Sequence, residues 1–347
     1  MNSVPQNTGC PAMTAETAYR RVVAVYPDDC QPHSVRYLAG AGGFSGACFW
    51  RLETGRGPLC LRRWPREHPT HDRLEFIQAV LWHVVQEGFH RLPLPLETRS
   101  HAGFVCEAGT LWEMTPWLRG RADYHEAPSR TKLAAAVTAL AEFHRASASF
   151  PLPDQGPAVS PGIVERLERL HWWTPARREQ VSTALSAGDW PELARRARSL
   201  LELYPLAVGK VRQTLNEAAR VEAPRLPCIR DIRHDHVFFV GDQVSGLIDF
   251  GATHPESVAA DLARLVGSLV GDDATGWQHA LSAYERIRPL SLAEALLMTA
   301  FDRANVLLSG MNWLEWIYLD RRTFDDRGAV ETRLDENLER LVRLAER

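Results

Sequence analysis

Apolar and polar residues alternate in short runs through the first third of the chain. Through most of the remainder, apolar residues recur every three or four positions. Between about 35 and 64, Cys48-Phe-Trp-Arg-Leu and Leu59-Cys-Leu-Arg read as two strands joined by the turn Thr54-Gly-Arg-Gly-Pro. Leu74, Ile77, Leu81 and Val84 fall on one face of a helix that Gly88 is placed to end. Strand-like segments follow near 103–107 and 110–114, and Thr115-Pro116 and Gly120 then break the pattern as a hinge. Beyond it Leu133, Val137, Leu140 and His144 share a helix face, 180–220 is amphipathic, and Val258, Leu262, Leu265 and Leu269 form another stripe. One hairpin interrupts the helices: Val237 to Val240 and Val244 to Ile248 flank the turn Gly241-Asp242-Gln243.

A strand-rich part followed by a helix-rich part predicts an α+β, bilobal molecule with a cleft at the hinge. Residues 1–15 read as a loose polar tail, 16–114 as an N-lobe and 115–347 as a C-lobe. The alternating charges from Arg333 to Arg347 read as a solvated helix face.

Hydrophobic residues make up 45% of the 347, enough for a substantial core, and the net charge of −3 gives no support for a nucleic-acid or membrane-surface partner. Six cysteines without a C-x-x-C pair argue against structural zinc and a disulfide scaffold, and fit reduced thiols in the cytoplasm. No apolar run of about 18 residues is present. Lys132 and Lys210 are the only lysines, so 38 of the 40 basic residues are arginine.

The chemistry concentrates in Ile229 to Gly251. Asp231 lies in the polar run Arg230-Asp-Ile-Arg-His-Asp-His236 before the hairpin, and Asp249 lies at its end. Such a hairpin can bring both carboxylates to one end of a site. Phosphoryl transfer needs one carboxylate to orient and deprotonate the attacking hydroxyl and another to hold Mg²⁺ on the nucleotide phosphates. Asp231, His234, His236 and Asp249 can also be read as a transition-metal hydrolase site, since His-x-His is a real ligand spacing.

Asp-x-x-x-x-His, the hairpin and Ile248-Asp-Phe-Gly251 together resemble the catalytic core of the aminoglycoside phosphotransferase and choline kinase group of small-molecule kinases, relatives of the protein kinases. The resemblance would cover roughly residues 35–325. Two positions depart from the group's pattern: Ile229-Arg230 stands where His-Gly is usual, and His236 where the second metal ligand, Asn, is usual.

The resemblance implies a protein-kinase-like fold with a small antiparallel-sheet N-lobe and a larger helical C-lobe. It also implies transfer of the γ-phosphoryl group of ATP, or GTP, to a hydroxyl of a small molecule. Asp231 would be the catalytic residue, with Mg²⁺ on Asp249 and His236. The glycine-rich turn, Gly42 and Gly43 included, would approach the phosphates. Arg62 would stand for the strand lysine, oriented by Glu75. The connection around Glu113 and Thr115 would meet the adenine. Asp261 would buttress the catalytic loop. Trp313, Glu315 and Trp316 read either as an amine-holding pocket or as core. Arg230 and Arg233 read either as charge stabilisers or as partners of Asp235. The missing lysine, Asn and His-Gly leave a second reading: a kinase-fold protein that binds nucleotide or ligand without efficient transfer. Acceptor and oligomeric state are not legible in the sequence.

Overall fold

The computed structural model describes residues 12–38, 46–154, 156–185, 190–324 and 326–346. Helix α1 (Ala12–Ala24) precedes a five-stranded antiparallel sheet. Its strands are β1 (Pro32–Leu38), β2 (Cys48–Thr54), β3 (Gly57–Arg63), β4 (Val105–Glu107) and β5 (Thr110–Pro116), in the spatial order β1-β2-β3-β5-β4. Alternation builds this sheet: Cys48, Trp50 and Leu52 on β2 and Leu59 and Leu61 on β3 are buried. They form one core with Val22, Val23 and Tyr26 of α1 and Trp112 and Met114 of β5. Helix α1 begins at Ala12, inside the stretch 1–15 expected as a tail, and Gly42 and Gly43 lie outside the described residues.

Helix α2 (His71–Gln86) follows the sheet's third strand, capped by Thr70, whose hydroxyl accepts from the Arg73 amide. Leu74, Ile77, Leu81 and Val84 are buried as the periodicity predicts, and Gly88 follows the helix at φ +91°. The remaining helices are α3 (Arg130–Ser147), α4 (Pro161–Trp172), α5 (Pro175–Leu185), α6 (Pro191–Ala218), α7 (Val258–Val270), α8 (Ala274–Glu285), α9 (Leu292–Leu314) and α10 (Arg327–Glu346). They enclose a second, larger core that also takes in the apolar face of α2. Short strand pairs punctuate the helices: β6 (Ala158–Val159) with β7 (Glu222–Ala223), β8 (Leu226–Cys228) with β11 (His254–Glu256), and the hairpin β9 (Val237–Val240) and β10 (Gln243–Leu247). Among the described residues no helix is long and apolar enough to cross a membrane, and Cys30, Cys48, Cys60, Cys106 and Cys228 are free thiols.

Two details correct the expected layout. First, β5 runs through Pro116, so the break comes at 117–120 rather than at Thr115-Pro116. Proline is tolerated there because β4 pairs only with the first part of β5. Second, α10 is not merely a solvated face. Val330, Leu334 and Leu341 are buried, and Arg340 pairs with Asp272 and Asp302.

The connection after β5 is fastened to the hairpin. The Arg121 amide donates to the Phe239 carbonyl (3.0 Å) and the Phe239 amide returns to Arg121 (2.8 Å). Gly120 permits this approach: it sits at φ +98°, and a Cβ there would stand 2.3 Å from the Phe239 oxygen. Gly120→Ala is expected to lower stability by about 2 kcal/mol or more, measured by urea unfolding.

Candidate active site

Strand β8 delivers the chain into the loop that carries Asp231. Ile229 and Ile232 are fully buried and anchor the loop, turning Arg230, Asp231 and Arg233 away from the core. The loop backbone is held by Asp261 in the first turn of α7. Its Oδ2 accepts from the Ile229 amide (2.7 Å) and its Oδ1 from the Arg230 amide (2.5 Å). His144, on the buried face of α3, lies with Nε2 3.0 Å from Asp261 and Nδ1 2.8 Å from the Tyr284 hydroxyl. Burial pushes His144 below its ordinary range despite Asp261. The neutral ring donates from Nε2 and accepts the Tyr284 proton at Nδ1. His144 is thus the satisfied core histidine that its helix face suggests, and Asp261 the expected buttress.

Arg230 and Asp249 both adopt left-handed backbone, at φ +68° and +63°. Each adjoins or carries one of the two carboxylates, so the strained residues bracket the site. The hairpin links them: the Ile248 amide donates to the His236 carbonyl (3.0 Å). His236 Nε2 lies 3.7 Å from Asp249 Oδ2, so the two expected metal residues are neighbours, although beyond hydrogen-bond distance. His236 Nδ1 is buried without a partner. Phe250 turns inward onto Phe143, and Gly251 leaves room for Trp64, whose ring would stand 3.2 Å from a Cβ.

Arg62 reaches this centre from β3. Its Nη2 is 3.5 Å from Asp249 and its Nη1 4.0 Å from Glu113, and its guanidinium lies 3.2 Å from the Trp64 ring centroid. The expected Arg62–Glu75 pair does not form. Glu75 follows the buried Leu74 and so points outward, 60% exposed, with Oε1 3.6 Å from His71. Glu113 takes the place expected of Glu75, directly across the sheet from Arg62. Gln78, on the buried face of α2, donates to Glu113 at 3.1 Å. Burial pushes the Glu113 carboxyl up, opposed by Arg62. Glu113 therefore enters through its side chain, where a backbone contact was expected, and Thr115 lies two residues on, opposite Cys60.

Asp231 is about half exposed, and Arg264 of α7 donates to its Oδ1 from Nε (3.1 Å) and Nη2 (2.9 Å). Arg230 pairs with Glu165 and approaches Glu256 (3.8 Å), whereas Arg233 lies 3.5 Å from Asp235. Arg333 of α10 binds Asp235 and His234. His234 stacks on His125 with centroids 3.8 Å apart. It does not join His236 and Asp249, and none of the three candidate ligand clusters among the described residues gathers Asp231, His234, His236 and Asp249. The hydrolase alternative fails on this geometry. Trp313 is core, packed on Trp316, and Glu315 is already bound by Arg169, so the amine pocket does not form there. Sequence reasoning missed Arg264, Gln78 and Arg333, which carry no motif; only their helix faces after folding reveal them.

A family model described as the phosphotransferase enzyme family matches residues 37–294. The chain belongs to this family. A homoserine kinase of Bradyrhizobium sp. strain BTAi1 is 27% identical over 257 residues, 73% of this chain and 71% of that one. A homoserine kinase of Sinorhizobium medicae is 26% identical over 304 residues, 82% and 84% of the two chains. Among solved structures, spectinomycin phosphotransferase in complex with ADP and spectinomycin superposes with a TM-score of 0.67 at 12% identity, over 96% of this chain and 97% of that one. A microcompartment-associated aminopropanol kinase gives 0.62 at 14%, over 96% and 98%. The family member described here is a small-molecule kinase with a protein-kinase-like α+β fold, transferring phosphate to a small-molecule hydroxyl.

The loop histidine makes the fold acid-sensitive. Burial pushes His234 down from its ordinary 6.5 to about 3; Asp235 opposes the shift, and His125 and Arg333 add to it. A depressed histidine stays neutral in the fold while the unfolded chain takes up a proton. Its contribution is intact above pH 6.5 and is lost as pH falls towards 3. Urea unfolding at pH 7.5 and 4.5 is expected to show lower stability at 4.5, with a smaller difference in His234→Gln.

Proposed function

We propose that Asp231 orients the acceptor hydroxyl and takes its proton, and that Asp249 holds Mg²⁺ on the phosphates of ATP. Bound there, Mg²⁺ would neutralise charge on the phosphate oxygens. The chemistry of the donor set suits one such ion: Asp249 offers a hard carboxylate oxygen, while the His236 imidazole is a poorer Mg²⁺ ligand. His236 therefore serves as a neighbour of Asp249 and at most as a substitute ligand. Arg62 contacts the phosphates as a fixed fork, held by Glu113, which Gln78 orients in turn. Residues 16–114, with Gly42 and Gly43, form the nucleotide side, Thr115 lies at the adenine edge, and 115–347 carry catalysis and the acceptor. The enzyme works in the cytoplasm on a small-molecule acceptor, without nucleic acid or membrane. The homoserine kinases among its relatives make homoserine the first acceptor to screen.

The observation that carries this reading is the convergence of Arg62 and His236 on Asp249, at the far end of the hairpin that begins beside Asp231. Thermal unfolding with ATP and Mg²⁺ should show a Mg²⁺-dependent rise of several degrees at most in wild type at saturating ligand. Asp249→Asn should abolish it. Asp231→Asn should keep the rise and lower kcat by about 10²- to 10⁴-fold. An Asp249→Asn variant with the full Mg²⁺-dependent rise would contradict the assignment.

A further inference from the structure

Beside Asp231, three elements, α4, α7 and α9, bring donors together. Arg264 of α7 spans Asp231 and Ser309 of α9, with Nη1 3.3 Å from the Ser309 hydroxyl. Arg166 of α4 lies under the same face of α9: its Nη2 donates to Asn305 Oδ1 (2.8 Å) and its Nη1 to the Gly162 carbonyl (2.9 Å). Asn305 and Ser309 are four residues apart, one above the other on the helix. The Arg166 guanidinium is fixed further by Phe301, 4.7 Å from its ring centroid. Among the described residues Arg166 forms no ion pair; both bonds it makes are to neutral acceptors. Asn305 spends its oxygen on Arg166, which leaves its Nδ2 buried without a partner. A buried amide donor and a buried guanidinium without a counter-ion are costly unless something arrives to accept from them.

The neighbouring carboxylates do not supply that acceptor. Glu256 is fully buried and already receives the Ser160 hydroxyl (2.5 Å), the Gly162 amide (2.7 Å) and the Ser257 amide (2.9 Å). Glu165 is engaged by Arg230 and Asp231 by Arg264. Arg73, of α2, donates to the Ala252 carbonyl and forms no ion pair among the described residues. Arg73 and Arg166 thus both lie here without a carboxylate at ion-pair distance among the described residues. Burial, reinforced by Arg230 and Arg264, pushes the Arg166 guanidinium down to about 10, with Glu256 opposing.

We infer that Arg166, Asn305, Arg264 and Ser309 form the acceptor's anion subsite, which takes a carboxylate and makes the substrate a short hydroxy acid or hydroxy amino acid. The inference rests on the reading of Asp231 as the group that faces the acceptor hydroxyl. Arg264 touches Asp231 itself, so a carboxylate at the subsite and a hydroxyl at Asp231 belong to a molecule only a few bonds long. Arg264 has a second consequence. An arriving carboxylate competes with Asp231 for its guanidinium, which loosens the hold on the catalytic carboxylate only when an acceptor is present.

The test uses the full chain with three probes that share one hydroxyl-to-amine spacing: homoserine, its carboxamide, and 3-aminopropan-1-ol. Binding is read by thermal unfolding in the presence of AMP-PNP and Mg²⁺, and transfer by ADP release. Homoserine is expected to exceed both other probes by about 10- to 100-fold in affinity and in kcat/KM, the worth of a charge-assisted pair. Arg166→Met and Asn305→Asp should each collapse that ratio towards one, through the acceptor KM. Asn305→Asp is isosteric and adds a counter-ion for Arg166, so it keeps the test open should Arg166→Met fail to fold. Equal affinity for the three probes in wild type overturns the inference. So does a variant that raises the ATP KM and leaves the ratio intact, since the anion held there would then be the donor's phosphate. Homoserine bound in preference to the other probes without ADP release would uphold the subsite and overturn the transfer reading.

Discussion

A single buried carboxylate, Asp261, holds the loop on which the site depends. It accepts two consecutive backbone amides, Ile229 and Arg230, and a third bond from His144. The two consecutive amides converge on one carboxylate because Arg230 is turned into the left-handed region. The cost of that conformation and of burying a charge is offset only while all three donors stay in place. His144 is in turn fixed by Tyr284 of α8, so α3, α7 and α8 all fasten the position of Asp231.

The other half of the site is built from the sheet. Cross-strand register places Glu113 opposite Arg62, and the inward face of α2 supplies Gln78 to the same carboxylate. Arg62 then reaches across to Asp249, the residue that follows the hairpin. The Arg62–Glu113 pair therefore lies between two adjacent strands. Such a fixed partner suits arginine, whose planar fork must be aimed as well as placed.

Much of this was legible in the sequence, for identifiable reasons. The hairpin from Val237 to Leu247 announces itself by alternation and a glycine turn, and Ile248-Asp-Phe-Gly251 by composition. The helix faces of α2, α3 and α7 follow from spacing alone. Legibility stops where a choice depends on which neighbouring position of a helix turns inward. Glu75 and Gln78 are both on α2, and only packing against β5 decides that Gln78 meets the ion pair. Arg264, Arg166 and Arg333 are ordinary helix-surface arginines until α4, α7, α9 and α10 are brought together. The tryptophans at 313 and 316 misled in the opposite direction: helical spacing fits a pocket wall and a core equally well, and burial chose the core.

The dependence of the site on Asp261 is tested most directly by Asp261→Asn, followed by urea unfolding and by turnover with ATP, Mg²⁺ and homoserine. The amide keeps one acceptor oxygen and sets a donor against a backbone N–H, so a loss of about 2–4 kcal/mol is expected. Turnover should fall by at least tenfold while the Mg²⁺–ATP thermal shift, which the proposal assigns to Arg62 and Asp249, persists. Wild-type stability together with wild-type turnover in this variant would contradict the account.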